Sequence, residues 1–315
     1  LETRCRLPSD ERSAKRSCVA RHANISGYED AVAPHCKALV TPHAYNLRHQ
    51  AKVVARKNTT ITAELERIVP SYCEFVDTLL RFDYGNLEAS ARVATAALET
   101  YLALVMSSKN EIFKSQSDFR TSIVPEFFLR LLDGYIQCKS LPFTVIGQTS
   151  IPIDIAFDLK REGLIVKKLQ RVDVAVVKPV ILAVDGIATT GFSIPLVAAE
   201  VKNYFDKNMI SGVEFSVATL KSTFPHCAYF AISEFADFEL QSNSYASSEI
   251  DEIYILRKQK RADFRKSDVA KPLDRDLIIE ILNRFFVGIE NHLAVHHNLK
   301  LRVPNGRLIR GNPTL

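Results

Sequence analysis

The tripeptide Glu200-Val201-Lys202 sets an acid and an amine two residues apart. In a β-strand, residues two apart point to the same face, so the carboxylate and the ammonium would enter one cleft together. A carboxylate there can hold Mg2+. The lysine can stabilise a hydroxide nucleophile or the charge growing on a phosphate. The spacing alone decides little, because short motifs recur by chance, and Asp158-Leu159-Lys160 repeats the pattern. Context chooses between them. Asp158-Leu159-Lys160 runs into the charged, turn-like Lys160-Arg161-Glu162-Gly163, whereas Glu200 closes an apolar run from Ile194, as in a buried strand. A second acid, Asp173, interrupts Arg171-Val172-Asp173-Val174-Ala175-Val176, a strand otherwise apolar on both faces. A buried carboxylate is costly unless paired or metal-bound, so Asp173 calls for a partner.

Strand register supplies one. Across an antiparallel hairpin the numbers of facing residues have a constant sum, and a turn near Gly186–Ile187 makes it about 373. That places Asp173 opposite Glu200. Asp185 falls within the turn, too far along the strand to join them.

The elements that must hold these residues read as follows. From Ile61, the residues Leu65, Ile68, Tyr72, Phe75 and Leu79 recur at helical spacing, interrupted by Pro70. Asn86 caps a second helix with Ala94, Leu98, Tyr101 and Val105 inside. A third helix spans Ile123–Gln137, with Ser122 as N-cap and Pro125 in its first turn. Glu126 lies in that turn, where an acid complements the helix dipole. Strands follow at Phe143–Ile155, Val172–Val177 continuing through Val180–Val184, and Ile194–Val201. Then come a helix over Asp206–Thr223, short strands at Cys227–Ile232 and Ile253–Leu256, and a closing helix at Leu277–Leu293. This order gives an α/β fold with a mixed sheet that opens as a meander.

Composition agrees with a packed core: 47% of the residues are hydrophobic and 24% charged, which argues against wholesale disorder. No apolar run is long enough for a membrane span. A net charge of +5 permits nucleic-acid binding without demanding it. The charge is uneven, since residues 1–58 hold 11 Lys/Arg against 5 Asp/Glu. This segment reads as a basic arm along a polyanion or as a solvated tail. The chain therefore divides into a basic arm (1–60), a helical region (61–115) and a core (116–315). The six cysteines form no C-x-x-C pair and no signal-like segment opens the chain, so free thiols and a cytoplasmic location are expected. The chain starts at Leu1 without Met, which suggests a misplaced or removed start. Only Cys18-x3-His22 comes near zinc-finger spacing. His292 and His296 are four apart, but lack a third ligand and sit near a helix end that histidines complement. The basic run Arg257-Lys258-Gln259-Lys260-Arg261 with Arg265-Lys266 could track phosphates or form a solvated loop. No P-loop or G-x-S-x-G elbow occurs, which disfavours NTP-driven and serine-hydrolase chemistry.

Asp173, the hairpin return, Glu200-Val201-Lys202 and the ensuing helix and strand resemble the catalytic core of the PD-(D/E)XK nucleases. Ser122-Ile123-Val124-Pro125-Glu126-Phe127 resembles the helix that carries an additional active-site glutamate in type II restriction endonucleases. The resemblance covers about residues 116–293 and is nearest to the group cutting CCTNAGC-like sites, where two different subunits can form the enzyme. Val172 stands where the family usually has Pro. The resemblance implies a restriction-endonuclease-like core, a mixed central sheet flanked by helices, with an N-terminal helical region. It implies a type II site-specific deoxyribonuclease in a restriction-modification system. Asp173, Glu200 and the Val201 carbonyl would bind Mg2+, Lys202 would activate water, and Glu126 would steady a second metal or a metal-bound water. Double-stranded DNA would be cut to leave 5′-phosphates by a homodimer, or by a heterodimer with a related subunit. A repair or recombination nuclease of the same fold, and a non-catalytic DNA-binding subunit, remain as alternatives.

Overall fold

A computed structural model describes residues 25–54, 59–114, 118–158, 163–184, 187–238 and 248–302. Its centre is a five-stranded sheet in the order β1-β2-β3-β4-β5. β1 (Thr144–Asp158), β2 (Gly163–Val184) and β3 (Ile187–Phe205) form an antiparallel meander. β4 (Ala228–Ala236) pairs parallel with β3, and β5 (Glu252–Ile255) parallel with β4. The change of direction after β3 requires a crossover, which α8 (Lys207–Thr223) provides. Asp206 caps it, its carboxylate accepting from the Met209 N–H at 2.8 Å.

The helical region precedes the sheet: α1 (Ile25–Val32), α2 (Pro42–His49), α3 (Thr59–Leu80), α4 (Leu87–Met106), and the single turns α5 (Glu111–Lys114) and α6 (Asp118–Thr121). α7 (Ile123–Cys138) leads into β1, and α9 (Arg261–Ser267) and α10 (Arg275–Arg302) follow β5. Each face of the sheet buries its own cluster, as the two-residue strand period requires. One face sets Val174, Val176, Val197, Ala199, Val201, Phe230 and Ile232 against α3, α4, α7 and α10. The other sets Ala175, Val177, Ala198, Tyr229 and Ala231 against Ile210, Val213, Val217 and Leu220 of α8.

Several expectations change in detail. α3 runs unbroken through Pro70. β2 continues past Pro179 as expected, but begins earlier, at Gly163. Ser122 makes no capping bond; its hydroxyl donates to the Phe119 carbonyl at 2.8 Å instead. Asn86 does cap α4, accepting from Ala89 N–H. The segment expected as a basic arm is helical over α1 and α2 and buries Tyr28, Val32, Ala44 and Leu47 in the core; residues 1–24 lie outside the described residues. Cys36, Cys73 and Cys227 are free thiols. Among the described residues no helix is long and apolar enough to cross a membrane.

Candidate active site

The register sum holds where it matters. The β2–β3 ladder pairs Val174 with Ala199, and the irregularities lie nearer the turn, between Val176 and Val177 and between Leu182 and Val184. Beyond Val174↔Ala199 a side chain continues the cross-strand bonding: the Val201 N–H donates to Asp173 Oδ2 at 3.0 Å. On the opposite side of β2, the pairing passes from Gly147↔Val174 to Thr149↔Val172, with Gln148 between them at φ 46°. Gly147 allows the close approach there. A Cβ on it would meet Leu129 Cδ1 at 2.3 Å and the Asp173 carbonyl oxygen at 3.1 Å.

The α8-side face brings the three polar residues together. Asp173 continues the row of Ala175 and Val177, and Glu200 and Lys202 continue that of Ala198. Lys202 Nζ lies 3.2 Å from Asp173 Oδ2 and 2.6 Å from Glu200 Oε1. The two acids therefore converge on one cationic nitrogen. The side chains of Asp173, Glu200 and Lys202 are 9%, 20% and 35% exposed, so the cluster is shielded yet open on the lysine side.

Burial raises the Glu200 pKa, and the charge of Asp173 raises it further, while Lys202 and Arg171 pull it back. Burial works to lower the Lys202 pKa, but Asp173 and Glu200 outweigh it and the net shift is upward. Lys202 is thus a firm ammonium in this state rather than a neutral base. The acids are hard oxygen donors already gathered round one positive charge, which fits a small divalent cation. Among the described residues no three His, Cys, Asp or Glu side chains form a metal-holding group. Two carboxylates suit Mg2+, which keeps several waters, better than a closed all-protein cage.

Glu126 does not join them. It is fully buried and its carboxylate is filled by other partners: the Ala44 N–H at 2.9 Å, the Tyr72 hydroxyl at 2.5 Å and Arg130 Nε at 2.9 Å. Its first-turn position is legible in the sequence, and its three partners come from α2, α3 and its own helix.

The basic run is also largely committed inside the protein. Arg257 is 1% exposed and binds Glu234 Oε2 at 3.1 Å, Glu99 Oε1 at 2.8 Å and the Lys271 carbonyl at 2.5 Å. Lys258 pairs with Asp274 at 2.5 Å. The Arg261 guanidinium stacks 3.6 Å above the Tyr204 ring. Arg265 and Lys266 remain exposed. Glu234 also binds Arg120 at 3.0 Å. Sequence reasoning missed this cluster, whose one local signal is the charged Glu234 within a strand otherwise apolar but for Ser233.

His292 Nε2 lies 3.2 Å from the Leu196 carbonyl and 3.0 Å from the His226 carbonyl, a role in tying α10 to the sheet. The side chain of His296, the triplet residues Leu159 and Lys160, Asp185, and Cys18 with His22 lie outside the described residues. His43 has both ring nitrogens engaged: Nδ1 with the Phe119 carbonyl at 2.9 Å, Nε2 with the Tyr101 hydroxyl at 2.7 Å.

A mixed sheet that opens as an antiparallel meander, turns parallel after β3 and carries Asp173, Glu200 and Lys202 on one face is a restriction-endonuclease-like architecture. A family model described as Bpu10I restriction endonuclease matches residues 184–293, a span that includes Glu200 and Lys202 but not Asp173. A solved structure described as "native BbvCI A2B2 tetramer at low resolution" is 27% identical with a TM-score of 0.59, over 79% of this chain and 95% of that one. No curated protein matches. The chain thus has a PD-(D/E)XK-like restriction-endonuclease fold and is related to type II restriction endonucleases.

Proposed function

We propose that this chain is the nuclease subunit of a type II restriction endonuclease, hydrolysing phosphodiesters of double-stranded DNA with Mg2+ as part of a restriction-modification system. The observation that carries the reading is the meeting of Asp173 and Glu200, from neighbouring strands, on Lys202 Nζ at 3.2 and 2.6 Å. Asp173, Glu200 and the Val201 carbonyl would hold the cation. When bound, Mg2+ supplies positive charge that offsets the phosphate and lowers the pKa of water. The Val201 N–H fixes the Asp173 carboxylate through its 3.0 Å bond. Lys202 orients the attacking water and stabilises the negative charge that grows beside it. In-line attack by that water breaks the bond to the 3′-oxygen, which leaves a 5′-phosphate and a 3′-hydroxyl.

The neighbour described as an A2B2 tetramer supports assembly with a further nuclease subunit, either a second copy or a related chain. Digestion of plasmid DNA by the chain, alone and with a candidate second subunit, tests the reading when the ends are sequenced. Cuts at one fixed sequence with 5′-phosphates, lost in Asp173→Asn, are expected. Nicks that follow DNA structure instead of sequence would make it a repair nuclease. Binding without cleavage under every pairing would make it a silent DNA-binding subunit.

A further inference from the structure

Tyr229 is the opening residue but one of β4, pairing with Ala198 while Glu200 pairs with Ala231 two positions on. Parallel neighbours in register share faces, so Tyr229 belongs to the same α8-side row as Glu200 and Lys202. Its ring is completely buried against the α8 cluster. Its hydroxyl, however, has no hydrogen-bond partner among the described residues. A buried phenol left unpaired is unfavourable, and Phe would fill the same space without that penalty. Burial first, and then the charges of Glu200 and Asp173, hold the phenol well above the ordinary tyrosine pKa. It therefore remains a protonated donor, and Glu200 is the leading negative charge it senses. In the present state Glu200 Oε1 is taken by Lys202.

We propose that Tyr229 is a positioning residue whose hydroxyl donates to the Glu200 carboxylate once a divalent cation draws that carboxylate away from Lys202. The inference rests on the cation reading of the Asp173–Glu200 pair. The donor is unpaired in one state and paired in the other, so it favours the cation-bound arrangement. It also fixes which Glu200 oxygen faces the cation, leaving Lys202 free for the water.

The test uses the full chain and Mn2+ alone, with free Mn2+ counted by electron paramagnetic resonance, so that no cleavage enters the readout. Glu200→Gln establishes which binding belongs to this site. Tyr229→Phe is expected to weaken the Glu200-dependent binding by about tenfold, the worth of one hydrogen bond to a charged group. Without cation its melting temperature should equal or exceed that of the unsubstituted protein, and its gain on adding Mn2+ should be smaller. Unchanged Mn2+ affinity in Tyr229→Phe overturns the inference and leaves the cation reading standing. A lower melting temperature without cation also overturns it, since the hydroxyl would then have a structural partner. No Glu200-dependent binding in the unsubstituted chain overturns the cation reading and the inference together.

Discussion

Replacing Lys202 by Met keeps the length of the side chain and removes the charge on which two acids converge. Asp173 and Glu200 would then face each other at 9% and 20% exposure with no counter-charge in the place Nζ held. Breaking a fully buried ion pair costs about 3–5 kcal/mol, while exposed pairs are worth about 0.2–1 kcal/mol. Lys202 itself is 35% exposed, so solvent screening discounts the larger figure, and about 2 kcal/mol is the expected loss at pH 7 without divalent cation. The pH dependence follows from Glu200. Its folded pKa already lies above the ordinary 4.5, through burial and Asp173, and loss of the ammonium raises it further. In the window just above 4.5 the folded chain then holds a proton the unfolded chain has released, so stability falls as pH rises through that window. The variant should therefore be penalised little near pH 4.5 and fully at pH 7. Mg2+ should stabilise the variant more than the parent, because no ammonium competes for the carboxylates. Urea denaturation at several pH values, with and without excess Mg2+, reads all three effects. Equal stability of parent and variant across pH and Mg2+ would refute the convergence of the acids on Lys202.

Further outcomes follow from the surrounding contacts. Burial lowers the His43 pKa to about 4, against some help from Glu126 and the Phe119 carbonyl. The stability this neutral ring contributes is complete above pH 6.5 and is lost as pH falls towards 4. Denaturation at pH 5 should show about 2 kcal/mol less from this group than at pH 7, and His43→Gln should flatten that slope. Glu126→Gln should destabilise the fold by about 2–4 kcal/mol by leaving Arg130 buried with a weaker partner, yet leave Mn2+ affinity unchanged; a large fall in affinity would return Glu126 to the site. Arg257→Met should lower the melting temperature by uncovering Glu234 and Glu99, with little change in the salt dependence of DNA binding. A marked drop in that salt slope would mean Arg257 reaches phosphate.

The parts of the site legible in the sequence are those fixed by local periodicity. Two-residue spacing put Glu200 and Lys202 on one face, and a hairpin needs only its turn to set a register, so Asp173 could be assigned as partner before any coordinates. The bulges fell on the turn side of Val174↔Ala199 and left that register intact. What could not be read depends on distant strands and helices. Glu126 looks like an acid serving a helix dipole or a metal, and its partners Ala44 and Tyr72 come from 82 and 54 residues away. Only Arg130, four residues on, was a local clue. Arg257 reads as part of an exposed basic run, until Glu99, 158 residues earlier, closes over it. Tyr229 looks like any strand aromatic, since nothing local says that its hydroxyl lacks a partner. For α2 the sequence does hold a local signal, Pro42 in the first turn after Thr41.

The proposed chemistry requires a divalent ion between Asp173 and Glu200. A crystal of the full chain soaked in Mn2+ and measured at the manganese edge answers this directly. One anomalous peak within coordination distance of both carboxylates, with Lys202 withdrawn from Glu200, is the result expected. A density map showing Lys202 still bridging the two acids, and manganese elsewhere or nowhere, would contradict the proposed chemistry.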